Sequence, residues 1–237
     1  MSNRIGSSVG LLLGQGRGIL EVIKLLAENA LGAEIFTSDP PKFTPYTDGH
    51  ISAICKAIKE LPFATAHTGI VPWRPDSLQQ EITLCSKLGV SILVVHGSTL
   101  GIEDSPKPPD YSTISELATR AREMNVTLAL ENGYTGGLTM LVSAIEKIGD
   151  NPSESGLGIC IDTWRACQAR DRAQNSLYNY LREVGEQLIH IHVDDVSSDK
   201  RTLPGHGEID WRRVGEILSE VGYSGTLSSR WFVATTH

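Results

Sequence analysis

Five short apolar runs in this chain end on a side chain that can bind a cation or move a proton. Phe63-Ala-Thr-Ala-His67 and Leu93-Val-Val-His96 end on histidine, whereas Leu128-Ala-Leu-Glu131 and Gly158-Ile-Cys-Ile-Asp162 end on a carboxylate. Ile189-His190-Ile191-His192-Val193-Asp194 alternates two histidines and an aspartate with period two, which places them on one face of a strand. One polar residue after a strand is ordinarily a loop cap or a satisfied surface group. Five consecutive runs ending this way instead predict that the ends meet. Glu131, Asp162 and His192 would then offer two carboxylates and an imidazole to a divalent cation, a mix that suits Mn²⁺, Zn²⁺ or Mg²⁺ without selecting among them. Without a cation, clustered acids would repel and raise one another's pKa. His67 and His96 could add a second imidazole pair, or simply bond a loop or the substrate. His190, one layer deeper on its strand, is expected to be buried and hydrogen-bonded rather than a ligand.

Other candidates are weaker. Trp73 and Trp164 follow candidate strand ends, where a rigid aromatic ring either packs on the apolar face of a sugar or anchors a loop. Gly14-Gln-Gly16-Arg-Gly18 lacks the spacing of a dinucleotide-binding turn and reads as an ordinary loop.

Such residues converge only if the fold brings strand ends together. The candidate strands are 8–13, 33–37, 63–67, 91–96, 126–131, 157–162, 188–193 and 225–232, several of them apolar on both faces. Amphipathic stretches lie between them. Asp76-Ser77-Leu78-Gln79 and Thr113-Ile114-Ser115-Glu116 read as capping boxes, and Asp210 as the cap of a third helix. Eight strand–helix units in roughly 200–250 residues favour a single α/β domain over residues 1–237, a (β/α)₈ TIM barrel. After Phe232 only five residues remain, so the final helix is expected to be missing. The apolar face left uncovered would then favour a homodimer.

Composition narrows the partners. With 28 acidic and 21 basic side chains the net charge is −7, which disfavours nucleic acid. The four cysteines form no C-x-x-C pair, as expected of a reduced, cytoplasmic protein. No stretch has the length of a membrane span or a signal sequence.

Leu130-Glu131-Asn132, Ile161-Asp162-Thr163, Ile191-His192-Val193-Asp194-Asp195, the segment Arg201 to Asp210 and Gly222-Tyr223-Ser-Gly225 occur in this order along the chain. Together they resemble the xylose-isomerase-like barrel superfamily, specifically its sugar phosphate isomerase/epimerase group, which also includes apurinic endonucleases. The resemblance implies a divalent metal held by Glu131, Asp162 and His192, and a carbohydrate substrate held near it by Arg201. It further implies proton transfer beside a carbonyl by carboxylates on strands five and eight, with Glu131 as acid and base; His96 is a further catalytic candidate from the residues themselves. His67, Trp73, Trp164 and Arg230 would line the substrate site. Two positions depart from the family pattern. Arg230 stands where a fourth, glutamate ligand belongs, and Arg165 stands where many relatives carry a histidine. An arginine neither ligates a cation nor acts as a base near neutral pH. The alternatives are a metal-dependent hydrolase or lyase of the endonuclease-like branch, or a sugar-binding barrel without turnover.

Overall fold

The computed structural model describes residues 4–38, 44–69, 74–103, 107–133, 137–149, 151–168 and 177–229. Eight parallel strands close into a barrel: β1 (Ile5–Ser8), β2 (Gly32–Phe36), β3 (Ala64–His67), β4 (Ile92–His96), β5 (Thr127–Glu131), β6 (Leu157–Asp162), β7 (Leu188–His192) and, after a hairpin, β10 (Thr226–Ser229). The hairpin consists of β8 (Asp195–Ser197) and β9 (Lys200–Thr202). Helices α1 (Gly10–Gly14), α2 (Ile19–Glu28), α3 (Asp48–Ala57), α4 (Pro75–Leu88) and α5 (Tyr111–Glu123) accompany the first half. In the second half come α6 (Gly137–Ile148), α7 (Pro152–Ser155), α8 (Thr163–Gln168), α9 (Leu177–Val184) and α10 (Trp211–Glu220). This is the expected TIM barrel. The absence of a closing helix was read from residues that lie outside the described part.

The first strand is displaced from its expected position. The apolar run of residues 8–13 predicts a strand, but the strand is Ile5–Ser8 and the run forms α1, with Val9 and Leu12 buried in the core. A Cβ on Gly6 would strike the backbone of Gly32 and the ring of Phe63, so the small residues are what let β1 and β2 lie so close. A strand whose one large apolar residue is the exposed Ile5 carries no apolar signature.

Two helix starts also differ. Helix α4 begins with Pro75 after Arg74, with no side-chain cap. Its fixed backbone angle and missing N–H suit the first helical position. Helix α5 is capped by Asp110, whose carboxylate accepts from Thr113 N at 3.1 Å and from Thr113 Oγ1 at 2.8 Å. Asp210 caps α10 as expected, accepting from Arg213 N at 3.1 Å.

The barrel has two unlike surfaces. Outward strand positions such as Leu93, Leu128, Leu130, Ile159, Ile161 and Ile191 join the helices in one apolar shell. On the alternate, inward positions Val94, Ala129 and Cys160 form a small separate apolar cluster. Most of the remaining inward positions are polar and buried: Glu34, Thr65, His67, Glu131, Asp162, His190, His192, Thr226 and Ser228. An interior of this kind holds together only if its groups satisfy one another.

Candidate active site

Glu131, at the end of β5, is fully buried and is the hub of the interior network. Register pairs it with His96 across β4 and β5, and pairs Asp162 with His192 across β6 and β7, where the register shifts at Ile159/Cys160. Its Oε1 lies 2.6 Å from His192 Nδ1. Its Oε2 takes Arg165 Nη1 at 2.6 Å and His96 Nδ1 at 2.8 Å, with His67 Nε2 at 3.9 Å. His67 Nδ1 donates to the carbonyl of Thr68 at 2.7 Å.

A second carboxylate sits below. Glu34 Oε2 lies 2.8 Å from His192 Nε2 and 3.1 Å from His190 Nε2, and His190 Nδ1 reaches Thr226 Oγ1 at 2.7 Å. Each nitrogen of His192 therefore faces a carboxylate, and a ring that donates to both is an imidazolium. Burial opposes that charge, but Glu34 and Glu131 outweigh it and raise the His192 pKa well above its usual value. In turn, burial disfavours ionised Glu131 and Glu34, and the histidines outweigh it, holding both well below the carboxylate range. For His96 burial wins over the pull of Glu131, so its pKa falls and the ring is neutral at pH 7.

Arginines organise the other side. Asp162 directly precedes α8 and accepts from Arg165 N at 2.8 Å, as a helix cap does. Its Oδ2 pairs with Arg201 Nη2 at 3.1 Å and lies 3.6 Å from Arg165 Nε. Arg201 Nη1 continues to Asp194 Oδ2 at 2.9 Å, and its guanidinium lies over the Trp164 ring at 4.5 Å. The hairpin carries Arg201 to this place through a two-residue turn at Ser198 and Asp199, both with positive φ (49° and 65°). Asn132 ties β5 to β6 by accepting from Asp162 N at 2.6 Å and donating to Asp162 O at 3.2 Å. The result is an alternating line of charge: Glu131, Arg165, Asp162, Arg201, Asp194.

Of the residues singled out from sequence, His67, His96, Glu131, Asp162, His192, Trp164 and Arg201 meet at the ends of the strands. Trp73 and Arg230 lie outside the described residues. His190 is buried and bonded below, as expected. Sequence reasoning missed Glu34, whose only signal is an isolated acid in an apolar strand, and gave Arg165 no role. Trp164 offers its ring face to Arg201.

His67, Glu131 and His192 place ligand-type atoms within 4.8 Å of one another, as do Cys160, His190 and His192 lower in the barrel. These are possible metal donors by chemistry. The set Glu131, Asp162 and His192 does not fit a divalent ion as it is arranged here. Both Glu131 oxygens receive donors, Asp162 faces two guanidinium groups, and both His192 nitrogens lie on carboxylates. An ion would have to displace Arg165.

Residues 23–236 match the family described as xylose isomerase-like TIM barrel. The chain belongs to that family. A D-psicose 3-epimerase of Enterocloster bolteae is 25% identical over 122 residues, 51% of this chain and 38% of that protein. An uncharacterized protein of Methanocaldococcus jannaschii is 29% identical over 123 residues, 50% of this chain and 41% of that protein. These matches thus span about two fifths of each relative's length. A D-psicose 3-epimerase of Agrobacterium fabrum matches at 22% identity over 86% of this chain and 77% of its own. Among solved structures, D-psicose 3-epimerase from Clostridium cellulolyticum with D-tagatose superposes with a TM-score of 0.74 at 18% identity, covering 98% of this chain and 86% of that one. The 3-keto-D-glucoside 4-epimerase of Escherichia coli gives 0.70 at 18% identity, covering 100% and 94%. No helix among the described residues is long and apolar enough to cross a membrane.

Proposed function

We propose that this barrel moves a proton at the carbon beside the carbonyl of a small ketose, interconverting sugar epimers. The observation that carries the reading is the His96–Glu131 couple at 2.8 Å on adjacent strand ends. The His96 side chain is 22% exposed and that of Glu131 is 0% exposed, so the imidazole is the partner that meets substrate. A carboxylate that accepts from Nδ1–H fixes the tautomer and leaves Nε2 as the base. His96 takes the proton from carbon as an imidazolium paired with Glu131, and the electrons move onto the carbonyl oxygen. Arg201 and Arg165 are the donors beside the couple for that developing charge. Once the enediolate has turned its other face toward His96, return of the proton from the imidazolium to carbon gives the epimer and restores the neutral ring. The role of base thus passes from Glu131 to His96, and Glu131 becomes its positioning partner.

The charge count favours a neutral sugar over a sugar phosphate. Glu34, Glu131, Asp162 and Asp194 face Arg165, Arg201 and the His192 imidazolium, which leaves no surplus cation among the described residues. No step here passes through a metal, since the donors as arranged do not fit one.

A second reading is a sugar-binding barrel without turnover, favoured by the engagement of both Glu131 oxygens. One experiment separates the two: incubate the protein with D-psicose, D-fructose or D-tagatose in deuterated water and follow the C3 proton by NMR. Proton loss that vanishes in His96→Gln supports epimerisation. Saturable binding with no exchange supports the binding barrel, and neither signal overturns both.

A further inference from the structure

We infer that Arg165 is the resident cation of this site, its guanidinium taking the place of a bound metal ion. Its Nη1 contacts Glu131 Oε2 at 2.6 Å and His96 Nδ1 at 3.2 Å, and its Nε lies 3.6 Å from Asp162 Oδ2. One planar group thus spans the two strand-end carboxylates and lies beside the imidazole, whose Nδ1–H is turned to Glu131. Its placement is set by the fold rather than by a free side chain. Asp162 Oδ1 caps the first turn of α8 on Arg165 N at 2.8 Å, and Thr163 Oγ1 donates to the carbonyl of Asp194 at 2.5 Å. Both anchors are buried, and the Arg165 side chain is 10% exposed. Among the described residues, a charge that never titrates near neutral pH is fixed where the acids of β5 and β6 converge. Arg201 extends the same service to Asp162 and Asp194.

The arrangement has a chemical consequence. Two buried carboxylates this close need a cation to stay ionised together. A metal supplies it only when present, whereas Arg165 supplies it permanently and adds directed N–H donors. It also bars a divalent ion, because a unit positive charge already touches the carboxylate that the ion would share.

The inference concerns the site of the proposed function but does not depend on turnover, and its test reads metal binding. The full chain is stripped with chelator and titrated with Mn²⁺ alone, with free ion followed by electron paramagnetic resonance and folding by circular dichroism. The wild type is expected to bind no equivalent of Mn²⁺ tighter than about 1 mM. Arg165→Ala is expected to gain one site at least about tenfold tighter, since a fixed charge has left the ligand set. Arg165→Met, which keeps the apolar stem, serves if the alanine variant does not fold. Adding Glu131→Gln to either variant is expected to abolish the new site. One tight Mn²⁺ in the wild type that Glu131→Gln releases would overturn the inference. So would a folded Arg165 variant with no gain in binding, or a gain that survives Glu131→Gln.

Discussion

Two buried carboxylates, Glu131 and Asp195, are satisfied in opposite ways. Glu131 receives charged or ring donors from distant parts of the chain: Arg165 after β6, His96 on β4 and His192 on β7. Asp195 is served mainly by neutral N–H groups within sixteen residues of itself. Its oxygens accept from Val196 N at 2.8 Å, Gly205 N at 3.0 Å, Gly207 N at 3.1 Å, Ile209 N at 3.0 Å and Trp211 Nε1 at 2.8 Å. A Cβ on Gly207 would strike the Asp195 carboxylate, so only glycine allows the loop so close. The first arrangement gathers charge that chemistry can use. The second folds a segment, and that segment delivers Arg201. Local neutral donors build scaffold, whereas convergent charged donors build a site.

The sharpest way to break this contrast is Glu131→Gln. It removes the charge that balances Arg165 and His192, and leaving buried cations unpaired is expected to cost about 3–5 kcal/mol in urea unfolding. In the same variant His96 loses its orienting carboxylate, and C3 proton exchange is expected to fall by roughly 10²–10⁴-fold. Normal exchange in a stable Glu131→Gln protein would contradict the role given to the pair.

Asp195→Ala is the matching test of scaffold. Stranding its buried donors is expected to cost about 2–4 kcal/mol, read as a lower urea midpoint. The loosened hairpin still carries Arg201, so kcat/KM is expected to fall by no more than about tenfold, far less than in Glu131→Gln. A collapse of kcat with KM unchanged would place Asp195 in the chemistry after all.

Acid separates Asp195 from neutral substitutes. Burial disfavours its charge, but the Trp211 and backbone donors outweigh it and lower the pKa below the usual aspartate value. Folding therefore favours the ionised form. That stabilisation is complete above the unfolded pKa of about 3.9 and is lost as pH falls through the lower folded value. Asp195→Asn is expected to show a shallower acid loss than wild type in urea melts at successive pH values. An identical slope would assign the acid sensitivity elsewhere.

The smallest effect belongs to a purely local carboxylate. Asp110 caps α5 from an exposed position, and Asp110→Ala is expected to lower the urea midpoint slightly without changing exchange.

Much of this was legible in the residues. The alternation of apolar runs with amphipathic stretches marked the strands, and the ends of β3 to β7 showed which side chains would share the rim. The β6 bounds were read without error, and Asp210 was found as a cap. Three things resisted. Strand β1 is Gly and Ser after the exposed Ile5 and hid behind the apolar run that became α1. The caps of α4 and α5 lay before the boxes that seemed to mark them. Glu34 carried no motif, and its meaning depends on the histidines of β7 across the barrel.

The barrel of strand–helix units and the inventory of groups at the strand ends were legible from residue order alone. Periodicity is a local property, and each strand or helix declares its buried face without reference to the others. Only the tertiary structure decided how those groups pair. The two departures, Arg165 and Arg230, were visible as letters, but a charge acts through distance. Where Arg165 lies is set by the cap that Asp162 places on α8 and by the pairing of β5 with β6. That geometry puts a guanidinium 2.6 Å from Glu131, where spacing along the chain had suggested a metal ion.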